Sequence, residues 1–197
     1  MVAPGEVLTV MGPSGSGKSS LLDFIGGHLD EAFVATGQVL IGDRPIHELP
    51  PHQRNVGVLF QDALLFPHLS VAGNLLFGLP SSVRGRIERR ERVEAALREA
   101  DLAGFGDRDP ATLSGGQRAR VALMRTLVAE PQALLLDEPF SRLDAGLRAD
   151  FRRFVFDHAR SRELPTVLVT HDRDDAEAAG GPVIELAARS VLEPRLQ

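Results

Sequence analysis

The chain has 197 residues, enough for one domain with a full hydrophobic core, and its 22 basic and 27 acidic side chains leave a net charge of −5. That balance supplies no whole-molecule field for nucleic acid, and the absence of cysteine excludes disulfides, thiolate metal sites and cysteine nucleophiles. No apolar run approaches the roughly 18 residues that cross a bilayer, and the first ten residues lack the basic start of a signal peptide, so a membrane role is expected only through a partner.

In chain order, Glu6–Val10 reads as a buried strand, followed by a Gly-rich loop and a helix over about Lys18–Leu29. Gln38–Ile41 and Val56–Phe60 read as strands, the first closed by the Gly42-Asp43 turn and the second preceded by Pro50-Pro51. Helical spacing without strand signals marks Ser70–Phe77 and Arg84–Ala100, so residues 62–112 are expected to form a small helical insertion. The segments 1–61 and 113–197 then make up the α/β core. An Arg-rich helix follows Leu113, and Ala133–Asp137 is a continuous apolar run of the kind buried on both faces of a parallel sheet. A helix at 146–160, a strand at 166–170, an acidic helix start at 172–177 and a strand near 183–186 complete the alternation. The expected fold is α/β, a phosphate-loop architecture with a mostly parallel sheet flanked by helices.

Three motifs carry the chemistry. Gly12-Pro13-Ser14-Gly15-Ser16-Gly17-Lys18-Ser19 has the spacing of a phosphate-binding loop, in which backbone N–H groups and one ammonium cradle β- and γ-phosphates. Lys18 is the only lysine of the chain, beside twenty-one arginines, which fits a position where a compact ammonium enters and a planar guanidinium is too broad. Leu113-Ser114-Gly115-Gly116-Gln117 offers a second anion-binding surface at the start of a helix. The apolar strand 133–137 ends in Asp137-Glu138, and another apolar strand ends in Thr170-His171-Asp172. A guanine-reading Asn-Lys-x-Asp motif is excluded because it needs a second lysine. None of His28, His47, His52, His68 and His158 falls at metal-ligand spacing, so no zinc site is assigned.

In this order and spacing the chain resembles the nucleotide-binding subunit of ATP-binding-cassette (ABC) transporters, importer type, over essentially its whole length. The short segments Gln61–Phe66 and Asp109–Arg120 carry a weaker resemblance to one little-characterised group of importer ATPases. The resemblance implies that ATP sits on Gly12 through Ser19 and Ser20, the last replacing the family's usual threonine, and on Ser114, Gly115, Gly116, Gln117 and Asp144. It implies Mg²⁺ held by Ser19, Gln61 and Asp137, and catalysis by Glu138 as general base with His171 and Gln61 sensing the nucleotide. The role of Glu138 has its own physical reason, since a carboxylate facing the γ-phosphate can polarise an attacking water.

The implied working form is a head-to-tail dimer with a second copy, in which the Ser114–Gly116 surface of one subunit closes over nucleotide on Lys18 of the other. The further implied partners are transmembrane permease subunits and a substrate-binding protein, with no nucleic acid, and the implied location is peripheral, on the cytoplasmic face of the inner membrane. Phe66-Pro67-His68 stands where the family receives a short helix of the permease. Arg84, Arg86, Arg89, Arg90 and Arg92 are read as a solvated, ion-paired face, and Asp172, Asp174, Asp175 and Glu177 as favourable charges at a helix start. Only eleven residues precede Gly12 and none is aromatic, so the family's adenine-stacking residue has no counterpart and an exposed apolar sheet surface is expected. Two alternatives stand beside this reading: a soluble cassette ATPase acting on DNA or ribosomes, and a binding-only cassette truncated at its amino terminus.

Overall fold

The computed structural model describes residues 1–187. Its central sheet has five parallel strands, β1 (Val7–Met11), β4 (Val56–Leu59), β5 (Ala133–Asp137), β6 (Thr166–Val169) and β7 (Val183–Glu185), in the spatial order β4-β5-β6-β1-β7. A separate hairpin joins β2 (Leu40–Ile41) to β3 (Arg44–Pro45). The helices are α1 (Lys18–Gly26), α2 (Pro51–Arg54), α3 (Val71–Gly78), α4 (Arg86–Glu99), α5 (Gly115–Leu127), α6 (Ala145–Ser161) and α7 (Arg173–Ala179), with a 3₁₀ turn at Pro110–Thr112.

The core follows from alternation on β5. Leu134 and Leu136 join a large cluster with α3, α4, α5 and α6, while Leu135 faces the other way with Val10, Val169 and Leu22 of α1. Because both faces are covered, every leucine of that strand is buried, which is why the run is continuous rather than alternating. Phe140, Phe151 and Phe156 pack edge to face just beyond the strand and anchor α6 against it.

Two local expectations change. The helix after the phosphate loop stops at Gly26 rather than Leu29, because Gly27 turns left-handed (φ 87°) and the N–H groups of Gly27 and His28 both donate to the Asp23 carbonyl at 2.8 Å. The strand at 38–41 shortens to two residues. Phe33, Val34 and Leu40 in this region are exposed. The short helix α2, with Pro51 in its first turn, had no signal beyond the Pro50-Pro51 pair.

Arg54, at the end of α2, braces the helix that carries the phosphate loop. Its buried guanidinium donates to the carbonyls of Phe24 (2.6 Å) and Ile25 (3.0 Å) in the last turn of α1, and to His47 and Leu49 at 2.7 Å. A cation at a helix C-terminus is favourable, and four carbonyls lose their donor if it is removed. Arg54→Leu should therefore lower stability by about 3 kcal/mol, read as a reduced urea midpoint at unchanged slope.

Candidate functional site

Parallel pairing brings the functional loops to one edge. Leu59 lies opposite Leu136, Asp137 opposite Val169, and Val10 opposite Val169. The chain therefore leaves β4 toward Gln61, β5 toward Glu138, β6 toward His171 and β1 toward Gly12 at the same carboxyl edge, where open α/β sheets bind ligands.

The phosphate loop runs from Met11 to the first residue of α1. Gly12 has no room for a side chain, since a β-carbon there would stand 2.8 Å from both the Leu186 carbonyl oxygen and Ser16 Oγ. Gly17 takes a positive φ of 92° as it turns the chain into α1, whose first N–H groups have no partner within the helix. Ser16 Oγ is buried without a hydrogen-bond partner, and Lys18, also buried, donates its ammonium to the Gly12 (2.8 Å) and Pro13 (2.9 Å) carbonyls. Bare N–H groups, an orphan hydroxyl and an ammonium held only by neutral carbonyls make a cradle for phosphate.

Opposite the loop, Ser19 Oγ and Asp137 Oδ1 are 3.4 Å apart. Burial, then the charges of Glu138 and Asp23, push the half-buried Asp137 carboxyl above its usual range, against the opposing influence of Ser19 and Lys18. Among the described residues no cluster of three His, Cys, Asp or Glu forms a cation cage. One hydroxyl and one carboxylate in surplus negative charge fit Mg²⁺, which takes few protein oxygens and completes its shell from water and triphosphate. Ser19 and Asp137 are the residues that would hold it; Gln61 is exposed in the loop after β4, the strand beside β5.

Glu138 adopts a positive φ of 45°, uncommon for a side chain with a β-carbon. The conformation is pinned by its N–H on the Val169 carbonyl (3.0 Å) and by its own carbonyl, which accepts from Ser141 Oγ at 2.8 Å. Its carboxylate lies 3.2 Å from Nδ1 of the exposed His171. A carboxylate and an imidazole thus face each other beside the phosphate cradle, one able to take a proton from water and the other to hydrogen-bond an anion.

The signature segment lies elsewhere. Ser114 caps α5 reciprocally with Gln117: Ser114 Oγ accepts from Gln117 N–H (3.3 Å), and Gln117 Oε1 accepts from Ser114 N–H (2.9 Å). Leu143 and Leu147 lie beneath Gly115 and Gly116, so the signature packs beside the loop that contains Asp144. A cavity of about 300 Å³ opens there, lined in part by Ser114, Gly116, Gln117 and Leu147. Among the described residues no hydrogen bond joins this surface to the phosphate loop.

Sequence reasoning missed the strained backbone of Glu138 and the ion-pair network behind His171. Asp175, read as a helix-start charge, is buried and pairs with Arg152, while Asp172 is the cap of α7 and accepts from Asp174 N–H at 2.9 Å. The arginine face on α4 is partly structural: Arg92 pairs with Glu88 and Glu130, and Arg89 donates to the Leu76 and Val83 carbonyls at 3.0 Å.

Fold and loops together define a phosphate-loop nucleoside triphosphatase. Residues 1–141 match the family model described as ABC transporter. The chain is 52% identical over 177 residues to the uncharacterized ABC transporter ATP-binding protein YnjD of Escherichia coli K12, covering 90% of this chain and 81% of that one. It is 44% identical to the Fe(3+) ions import ATP-binding protein FbpC of Rhizobium etli, covering 93% of this chain but only 51% of the relative. The dimeric structure of MJ0796, a bacterial ABC transporter cassette, superposes with a TM-score of 0.78 at 33% identity, over 95% of this chain and 83% of that one. The chain belongs to the ABC transporter family, as an ATPase subunit. The likeness to YnjD is not confined to Gln61–Phe66 and Asp109–Arg120 but runs over 177 residues.

The raised pKa of Asp137 has a measurable consequence. Its protonated form is the one the fold favours, so the stability it contributes is present below the ordinary value near 3.8 and is lost as pH rises through the higher folded value. Asp137→Asn should melt higher than the parent at pH 7 without nucleotide, with the gap closing toward pH 3.5, and should lose the stabilisation that Mg-ATP gives the parent. Thermal unfolding with and without Mg-ATP across that pH range checks all three.

Proposed function

We propose that this ATPase is the energy-coupling subunit of an importer, acting on the cytoplasmic side of a membrane as a head-to-tail dimer that closes over two ATP molecules. The observation that carries this reading is the pair of anion-binding surfaces on one chain, a cradle at Gly12–Ser19 and the capped start of α5 at Ser114, with no hydrogen bond between them. A single nucleotide bound on Lys18 has no use for a distant second surface of the same chain, whereas a second copy presenting Ser114–Gly116 completes the site.

Within that site the backbone of Gly12 through Ser20 holds the phosphates, Lys18 trades its carbonyl partners for phosphate oxygens, and Ser19 with Asp137 positions the metal. Mg²⁺, when bound, neutralises charge on the β- and γ-phosphates. Glu138 accepts a proton from the attacking water as the water oxygen bonds to the γ-phosphorus. The bond from that phosphorus to the β-bridging oxygen breaks, leaving ADP with the electron pair. His171, 3.2 Å from Glu138, hydrogen-bonds the γ-phosphate and loses that partner on release. Gln61 sits between the nucleotide and the surface that would receive the permease. On that surface Phe66 and the exposed Phe77 stack edge to face at 4.6 Å, exposed Leu64 takes a positive φ of 43°, and Arg125 donates to its carbonyl at 2.9 Å. An apolar patch held rigid by a guanidinium suits a short amphipathic helix.

In this reading residues 62–112 form the signature-side subdomain, and a substrate-binding protein completes the system. Among the described residues no helix is long and apolar enough to cross a membrane, so transport would depend on permease subunits.

Glu138→Gln should cut phosphate release by at least about 10²-fold and should double in mass by light scattering in Mg-ATP, because ATP that is not hydrolysed keeps the halves together. A monomer at saturating Mg-ATP would count against the dimer, and full turnover by the variant would remove Glu138 from its role.

A further inference from the structure

Behind the site, α6 and α7 share a partly buried network that the reaction as derived does not use. Arg148, in the first turn of α6, donates through Nη2 to the Leu143 carbonyl and through Nη1 to Asp172 Oδ2, both at 3.1 Å. Arg152, one turn on, donates to the same Asp172 oxygen at 3.2 Å and pairs with buried Asp175. Thr170 Oγ1 donates to Asp175 at 2.6 Å and accepts from Asp172 N–H at 3.1 Å. Both chain neighbours of His171 are therefore fixed, while the imidazole itself stays exposed beside Glu138.

Stability alone does not explain Arg148. A cation in the first turn of a helix opposes the helix dipole, and Arg148 Nε is buried with no hydrogen-bond partner. A residue placed against local preference points to a function. Among the described residues, Arg148 is the one side chain hydrogen-bonded to both the Ser141–Asp144 loop and the segment around His171. The other ion pair of that loop, Arg142 with Asp62, is half exposed and screened by solvent.

We infer that Arg148 is a positioning residue that ties the Ser141–Asp144 loop to His171. This rests on the proposed dimer, in which that loop meets the second copy. When the partner shifts Leu143, the guanidinium carries the displacement to Asp172 and so sets His171 against Glu138. The link needs two donors in one plane, which a guanidinium has and an ammonium lacks.

The test is Arg148→Lys beside Arg148→Gln, with Arg160→Lys on the same helix as control, since Arg160 donates to the Ala179 carbonyl and lies over the Phe156 ring, away from both loops. Steady-state Mg-ATP hydrolysis should show kcat lowered roughly tenfold to a hundredfold in both Arg148 variants, at unchanged KM for ATP and with Arg160→Lys like the parent. Hydrogen-exchange mass spectrometry without nucleotide should show faster exchange in the peptides over 141–145 and 169–173 together, in Lys as in Gln. Turnover of Arg148→Lys equal to the parent, or exchange unchanged in either peptide, would overturn the link. Should the parent itself not hydrolyse ATP, the ATPase reading fails, and the exchange data still decide whether Arg148 joins the loops.

Discussion

Negative charge crowded at the end of β5 is the constraint on which the rest of the site depends. Asp137 and Glu138 are consecutive, Asp23 adds its field from α1, and burial raises the cost of ionising Asp137. The one nearby ammonium, Lys18, is held by neutral carbonyls of its own loop rather than by a carboxylate. Without nucleotide, then, both signs of charge are present and neither is neutralised. A triphosphate with a divalent cation would resolve both at once, giving Lys18 an anion and Asp137 a cation.

The sheet exists to hold those charges in place. A parallel sheet sends every strand's carboxyl end to one edge, and β5 lies between β4 and β6, so the loops of Gln61 and His171 flank the carboxylates. Backbone strain is accepted where geometry demands it. Glu138 keeps its positive φ because Val169 and Ser141 hold its peptide groups on both sides. Gly12 is packed so closely by Leu186 and Ser16 that the loop has one workable residue at that position.

Much of this was legible in the sequence, for physical reasons that also mark where legibility stops. Leu134-Leu135-Leu136 announced a doubly covered strand because both faces needed apolar cover, and the Gly12–Ser19 spacing announced its loop because few backbones bring that many N–H groups to one point. The ATP-binding family followed from the order of those motifs. What stayed hidden depended on contacts between distant residues. Arg54, Arg148 and Arg152 look like any other of the twenty-one arginines until α6 is laid against α7 and α2 against α1. Asp175 reads as a helix-start charge because its burial comes from tertiary packing. The end of α1 was misplaced by three residues because a glycine pair can either continue or cap a helix, and the Asp23 carbonyl decided it.

Three helix starts are closed by their own side chains. Ser70 caps α3, Ser114 with Gln117 caps α5, and Asp172 caps α7, each by a side chain accepting a backbone N–H. Helices α1, α2 and α4 start at Gly17, Pro50 and Gly85 without such a cap, whereas α6 starts at a residue that could provide one. Asp144 stands at its N-cap, a residue type suited to the task, yet its side chain makes no capping bond and is exposed. A cap of this kind is typically worth about 1 kcal/mol, so the arrangement forgoes stability that the sequence could supply. The same turn carries Arg148, a cation at the wrong end of the helix dipole, tethered to the His171 segment. An outward carboxylate and an inward guanidinium on one turn give the start of α6 two sides, one exposed to solvent and one tied through Asp172 to the segment that carries His171.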